Sequence, residues 1–479
     1  MTMTSESTAL VTGLLMNLPD ELLLQVAFFL PTADLSRLSL TTKHLGSIAQ
    51  EALYRSIRIP YEPYFNWRLA MPESLSRMAS LALTLVKRPD LAQKVRALEV
   101  HPHIKETRID PYLLNPTGEA TPLGFEQLNV LLKETEIVGY MLRQLSNLQE
   151  LWLAVRDGSV ANARLPRSHQ GYAMKHLFGR HYTRTQLMDI PGLRNLKTLE
   201  IHSSSLEWPW CRLQHLTCLS VGPHCRLPSA SEYPEELCQI KVFEILRRTT
   251  ILDDPVAPEH AKLTPFLRRM PHLTTLVIWL INTIYDYDEE DLGPYLSLDQ
   301  PGYFDSLIEH ILPFGSVIRV LEIRHHGSDH PEFLDYVSPS TSLAQLVSLE
   351  VLEVDYEVLL ASSDTTRPLS CNILPPNLEV LKIHHPCSNI VDLLHDILAN
   401  TSHFQRLELI QLFTRNDHGN SYEFFWYKFG DVYERLEDAG IWVRIFYRNE
   451  DYCEDWDDGD YDPFIGEIVE FLEGLTTGE

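Results

Sequence analysis

Leu349-Glu-Val-Leu352-Glu-Val354 is followed 29 residues later by Leu378-Glu-Val-Leu381-Lys-Ile383. Both hexads run apolar, two variable residues, leucine, one variable residue, then a β-branched residue. In an extended chain successive side chains point to opposite faces. The last two apolar residues therefore point one way, and the residue between them points the other. The first apolar residue turns the chain into the short strand. Neither copy can bury its inner face alone, but copies stacked side by side form a parallel sheet with one continuous core.

Outward from this pair the phrase recurs. Earlier copies are Val95-Arg-Ala-Leu98-Glu-Val100, Leu148-Gln-Glu-Leu151-Trp-Leu153, Leu196-Lys-Thr-Leu199-Glu-Ile201 and Leu216-Thr-Cys-Leu219-Ser-Val221. Leu273-Thr-Thr-Leu276-Val-Ile278 and Ile318-Arg-Val-Leu321-Glu-Ile323 lead to the opening pair, and Phe404-Gln-Arg-Leu407-Glu-Leu409 follows it. The last three steps between the central leucines are 31, 29 and 26 residues, close to the ~20–29 of a leucine-rich repeat, whose signature the phrase resembles. Steps of 53, 48, 57 and 45 residues imply insertions or degenerate copies. Helical spacing at 125–145, 235–248, 263–270, 304–312 and 390–400 falls between phrases. The Asn or Cys that closes the strand of a tidy repeat is mostly absent, so an irregular, curved array is expected. Loops are expected at 101–121, 156–190, 223–234, 285–302 and 361–376, which are rich in Pro, Gly, Ser and charge. Residues 421–447 read as a closing helix near 431–439 and an edge strand at 441–446, the cap such an array requires.

A different pattern occupies the N-terminal segment LPDELLLQVAFFLPTADLSRLSLTTKHLGSIAQEALYRSI, residues 18–57. Pro19, Asp20 and Glu21 suit a helix start, and Leu22, Leu23, Val26, Ala27 and Leu30 recur at helical spacing. Pro31 stops that helix and Thr32 can cap a second, marked by Leu35 and Leu38. Thr41 or Thr42 can cap a third, whose inner face is Leu45, Ile48, Ala49, Ala52 and Leu53. Three short helices in so few residues bury little surface, and their apolar faces call for a partner.

These residues resemble an F-box: the Leu18-Pro19 opening, Glu21-Leu22-Leu23, the apolar positions at 26–30, Pro31, Asp34-Leu35 and Leu38. The ending Leu53-Tyr54-Arg55-Ser56-Ile57 is similar to fungal members. Thr41 and Thr42 stand where many members have Val and Cys, and Tyr54 where many have Trp. The resemblance implies that Leu18, Pro19, Leu22, Leu23, Val26, Leu30, Leu35 and Leu38 face a Skp-type adaptor, which bridges to a cullin. The expected fold is α/β: a three-helix F-box followed by an irregular leucine-rich-repeat solenoid with a curved parallel sheet and outer helices. The expected organisation is a flexible leader at 1–16, the F-box at 17–60, the repeat domain at 61–447 and an acidic tail at 448–479. The implied role is the substrate-recognition subunit of a cullin–RING ubiquitin ligase. The alternative is an interaction scaffold that recruits no cullin. The other reading of the helices is a generic cap on the array.

Charge narrows the partners. The chain has 479 residues, with 40 Lys plus Arg against 66 Asp plus Glu, a net charge of −26. Such a balance suits neither a phosphate backbone nor an anionic membrane. No apolar run approaches the ~18 residues of a membrane span, and no basic region precedes the apolar patch of the N-terminus. Seven cysteines without paired spacing read as free thiols, which places the chain in cytoplasm or nucleus.

No phosphate-binding glycine loop, nucleophile elbow or zinc-protease helix is present, so no catalytic residue, metal or cofactor is expected and the chain reads as a non-enzyme. Cys211, Cys218 and Cys225, spaced by seven, lack the close ligand pairs of a zinc site. Asp455–Asp462 fails as a calcium loop because Asp460 holds the glycine position and Gly466 the final glutamate position. The acidic run 286–291 reads as an exposed loop. His325-His326 and His384-His385 both follow a strand and read as strand-end residues in similar positions. Target contacts are expected from the residue between the last two apolar positions of each phrase, where Glu99, Glu200, Glu322, Glu353 and Glu408 fall and Trp152 and Lys382 depart. The shared glutamate suits a basic partner, or is the ordinary solvent face of the sheet. From Glu450 onward there are twelve acidic residues and no Lys or Arg, which reads as a solvated tail or an arm for basic targets.

Overall fold

The computed structural model describes residues 18–59, 77–102, 106–108, 131–155, 173–203, 205–222, 225–228, 237–249, 260–282, 303–326, 340–359, 371–386, 390–415 and 422–448. Helices α1 (Asp20–Phe28), α2 (Thr32–Leu38) and α3 (Lys43–Arg55) form the N-terminal unit. The Thr42 hydroxyl accepts the Leu45 amide at 3.2 Å and caps α3. Thr32 is itself the first residue of α2, whose start at Pro31 has no side-chain cap, so the expected Thr32 cap is not formed. Leu23, Ala27, Leu35, Leu45, Ile48 and Ala49 make this unit's own small core, separate from that of the rest of the chain.

Without a break, α3 runs into β1 (Ser56–Ile59), and β1 pairs in parallel with β2 (Ala97–Val100). The helical unit is thus built onto the first strand of the main sheet, while the expected boundary fell after residue 60. Lys94 to Glu51, at 2.7 Å, is a second tie. A short antiparallel pair follows, β3 (Glu106–Arg108) and β4 (Leu131–Lys133). Beyond it the main sheet continues through β5 (Glu150–Ala154), β6 (Thr198–His202), β7 (Cys218–Val221), β8 (Val242–Thr249), β9 (Thr275–Asn282) and β10 (Val320–His326). It ends with β11 (Val351–Asp355), β12 (Val380–His384), β13 (Leu409–Arg415) and β14 (Trp442–Arg448). The main sheet has twelve parallel strands, each beside its predecessor in sequence. Parallel neighbours require crossovers, and helices such as α4 (Arg77–Lys87), α5 (Glu134–Leu142), α6 (Ala173–Phe178) and α7 (Arg184–Met188) lie in them. The fold class is α/β, as the hexads require.

Besides β4, which takes 131–133 out of the helix expected over 125–145, three differences from the sequence reading concern the array. Residues 235–248 were expected to be helical, but 242–249 form β8, whose register places Phe243 beside Leu219 and Leu276. Ile240, Phe243 and Ile245 are a complete hexad with Phe in the leucine position. Secondly, the last hexad is shifted by three: Ile410, not Leu407, pairs with Leu381. Thirdly, 156–190 was expected as loop but contains α6 and α7. The remaining expected loops, the leader and the acidic tail lie largely or wholly outside the described residues.

Two devices tie the units together. In the main sheet from β2 to β12, the carbonyl just before the strand accepts two amides of the next unit: Lys197 and Thr198 donate to Gln149, and Thr217 and Cys218 to Lys197. In addition, the side-chain amides of Asn147, Asn195 and Asn377 donate to the carbonyls of Gln93, Ser146 and Val347, the equivalent turn of the preceding unit. The asparagine sought after the strand thus sits before it in these copies.

Opposite this seam one core runs from Met78 to Ile441 and takes in the central leucine of every hexad. Helices crowd closely over it. A β-carbon on Gly139 of α5 would lie 1.9 Å from the Leu177 carbonyl oxygen of α6. Gly139→Ala is therefore expected to cost about 3 kcal/mol, at the upper end of overpacking because backbone must move. Chemical denaturation measures this, and an unchanged midpoint would contradict the close approach.

Candidate functional site: an apolar helix face and a polar groove

One face of α1 lies on its own core, and the opposite face is bare. Leu22, Val26 and Phe29 recur at i, i+4 and i+7, are 45%, 47% and 88% exposed, and with Leu18 form one stripe. Pro19 is exposed beside it. Phe28 and Leu40 (the latter 86% exposed) extend the apolar surface. Soluble proteins rarely leave such a patch without a partner. The sequence reading included Leu18, Pro19, Leu22 and Val26 but missed Phe28, Phe29 and Leu40. Phe29 continues the spacing of Leu22 and Val26, so the signal was present. Leu23 and Leu35 were expected on this surface, but they are only 4% and 6% exposed and hold the unit together. Leu30 and Leu38 are half-buried against that core.

On the sheet, the residue between the last two apolar positions of each hexad faces away from the core. Register aligns Arg58, Glu99, Trp152, Glu200, Ser220, Glu244, Val277, Glu322, Glu353, Lys382, Gln411 and Arg444 across successive strands. An open groove of about 1380 Å³ lies over the start of these strands, bordered by Arg58, Trp152, Glu200, Lys197, Lys241 and Arg319 among others.

Most of the expected target-binding glutamates are engaged within the sheet. Glu99 meets Arg58 at 3.3 Å and His101 at 3.4 Å. Glu200 meets His202 at 2.7 Å. Glu353 is held by Lys382 at 3.0 Å, His384 at 2.8 Å and Arg324 at 3.3 Å, and Arg324 also reaches Glu322 at 3.3 Å. Glu322 and Glu353 are buried, so they are internal counter-ions rather than free charges offered to a basic partner. Glu408 is exposed but, through the shift of three, lies before β13 and not on the ladder, where Gln411 stands.

Planar groups line the next row. The Arg324 guanidinium sits over Trp279 at 4.5 Å. His384 stacks on Phe413 at 4.4 Å, and Phe413 on Phe446 at 4.9 Å. The two His-His pairs are not in equivalent positions. Ile323, Val354 and Ile383 share a register, so His384 corresponds to Arg324, and it is His385 that corresponds to His325. Cys211, Cys218 and Cys238 are buried free thiols of the core, and Cys225 lies 3.7 Å from the Ser203 hydroxyl.

The carboxyl pair is strongly polarised. Burial, then the neighbouring Glu353 charge, pushes Glu322 up to about 7. Burial also opposes the Glu353 carboxylate, but the His384 hydrogen bond and the Lys382 and Arg324 charges outweigh it and hold that group down at about 2. Folded chains therefore bind more protons at Glu322 than unfolded chains do between ~4.3 and 7, and stability from this group falls as pH rises through that window. Glu322→Gln is expected to flatten the fall, with a gain over wild type of order 2–3 kcal/mol at pH 8 that vanishes near pH 4. Denaturation at both pH values measures it, and equal pH slopes for the two proteins would refute the assignment.

The structure thus sets an N-terminal three-helix unit with a bare apolar stripe beside a strand-by-strand scaffold with a polar groove. Residues 15–60 match the F-box-like family. No curated protein matches the chain. The match covers the unit that carries the exposed stripe, and F-box-like domains generally bind Skp-type adaptors. Among the described residues no helix is long and apolar enough to cross a membrane.

Proposed function

We propose that this chain is the substrate-recognition subunit of a cullin–RING ubiquitin ligase. The stripe Leu18, Leu22, Val26 and Phe29 docks on a Skp-type adaptor, the adaptor recruits the cullin, and the array holds a protein target in its groove. The array is read as an irregular leucine-rich-repeat domain, and the chain itself performs no chemistry. The F-box-like match over 15–60, falling on a helix whose bare face is apolar, is the observation that carries this reading. Covering the nearly bare Phe29 stabilises a complex by about 1.5–3 kcal/mol, and covering the half-exposed Leu22 and Val26 by about half as much each.

The test is co-purification of the tagged chain with adaptor and cullin from cell extract, beside a Leu22→Asp/Val26→Asp variant. Adaptor and cullin with wild type, and neither with the variant, support the proposal. Adaptor without cullin converts it to the scaffold reading, and neither partner with wild type makes the helices a cap on the array.

A further inference from the structure

The third residue before each ladder position forms a row along one edge of the groove. From β5 to β10 it reads Gln149, Lys197, Thr217, Lys241, Thr274 and Arg319, all of which border the groove. Cations thus stand on alternate strands, β6, β8 and β10, with neutral hydrogen-bonding residues between them. The row then changes sign to Glu350, Glu379 and Glu408 on β11 to β13. The alternation of cations is unexpected in a chain of net charge −26.

Two of the three cations are not spent on the sheet's own carboxylates, and the third is shared with the first glutamate beyond the sign change. Lys197 and Lys241 are exposed and make no ion pair among the described residues. Arg319 is exposed and meets Glu350 at 3.3 Å. The deeper acids have partners of their own: Glu99 has Arg58 and Glu200 has His202. Glu150 is the exposed carboxylate on the groove floor, one strand from Lys197.

Spacing identifies the ligand. Strands lie ~4.8 Å apart, so cations on alternate strands recur every ~10 Å. A peptide in the polyproline II conformation advances ~3.1 Å per residue with three residues per turn, so every third side chain returns to the same face after ~9 Å, close to that spacing. We propose that the groove binds an acidic peptide in the polyproline II conformation crossing β5 to β10, with carboxylates at every third residue opposite Lys197, Lys241 and Arg319; between them the Gln149 amide can donate, and the Thr217 and Thr274 hydroxyls, which donate to the Lys197 and Lys241 carbonyls at 3.4 Å, can accept. The sign change at Glu350 ends the acidic register. This deepens the receptor reading above by naming the class of target segment, and it rests on that reading.

The test uses the purified full chain and three labelled probes: a peptide with four glutamates at every third residue among Ser and Gly, a peptide of the same composition with its glutamates contiguous, and a single-stranded oligouridylate. The spaced peptide is expected to bind several-fold more tightly than the contiguous one. Lys197→Glu/Lys241→Glu is expected to weaken it about tenfold or more, as for two lost and reversed surface contacts, and Glu150→Lys to strengthen it. Both changes are at exposed positions, and circular dichroism with unchanged adaptor capture confirms that fold and docking unit are intact. Adaptor capture without peptide binding therefore overturns this inference and leaves the receptor reading standing. Equal binding of the two peptides, indifference to the lysine reversal, or tighter binding of the oligouridylate also overturns it. If the spaced peptide binds only after residues 450–479 are removed, the occupant is the chain's own acidic tail, and the partner assignment fails.

Discussion

Glu353→Ala is expected to destabilise the folded chain by about 3–5 kcal/mol at pH 7, because deleting one member of a buried ion cluster leaves the others uncompensated. Lys382 and His384 lose the carboxylate they share, and Arg324 keeps only Glu322. His384 is 5% exposed, so water cannot replace its partner without repacking Phe413, on which it stacks. The same substitution removes the charge that helps push Glu322 up, so Glu322 ionises more readily beside Arg324 and recovers part of the loss. A Glu322→Gln/Glu353→Ala double variant should then show non-additivity of ~0.5–3 kcal/mol, the range for residues in one network. The pH dependence fixes the sign. Glu353 titrates near 2 when folded and near ~4.3 when unfolded, so its contribution is present above the higher value and disappears as pH falls through the lower one. The gap between wild type and Glu353→Ala should therefore narrow from pH 5 to pH 2. A gap that is constant across this range would mean that packing rather than charge sets the cost.

The strands were legible because a hexad carries its own periodicity. Leu98, Leu352 and Leu381 are core residues for the same reason in each copy: two apolar side chains on one face of a short strand cannot be buried any other way. The reading failed where the template was ambiguous or chemically disguised. Phe243 in the leucine position hid β8, and the spacing around it also satisfied a helix. Near the end of the array, Phe404-Gln-Arg-Leu407-Glu-Leu409 and Leu407-Glu-Leu-Ile410-Gln-Leu412 both fit the pattern. Only pairing with β12 selects the second, and with it moves Glu408 off the ladder. The groove was the least legible part. Glu200 and His202 are two residues apart, so their pairing can be guessed from one strand. The bonds that take Glu353 out of solution come from Arg324, 29 residues away, and His384, 31 residues away. Whether a strand glutamate is a free charge or an internal counter-ion depends on what the adjacent strand presents, and single-strand patterns do not contain that.

Leu23→Asp is expected to unfold the N-terminal helices, whereas Leu22→Asp should leave them folded, although the two leucines are neighbours. Leu23 is 4% exposed and belongs to a core of six buried residues. Placing an unpaired carboxylate there costs more than ~4 kcal/mol, which a unit of this size cannot absorb. Leu22 is 45% exposed on the bare stripe, and a surface substitution there stays within about 0.5 kcal/mol. Both variants should lose the adaptor, but for different reasons: one has no docking unit and the other has a charged docking face. Amide exchange separates them. In Leu23→Asp the amides of α1 to α3 should exchange freely and β1, which continues from α3, should fray. Strands from β2 onward should keep their protection, because their core is a separate cluster. In Leu22→Asp all of these amides should match wild type. Protected α1 to α3 amides in Leu23→Asp would mean that the array, through β1 and the Lys94–Glu51 contact, holds the helices in place without their own core, and that the docking unit and the groove are one cooperative body.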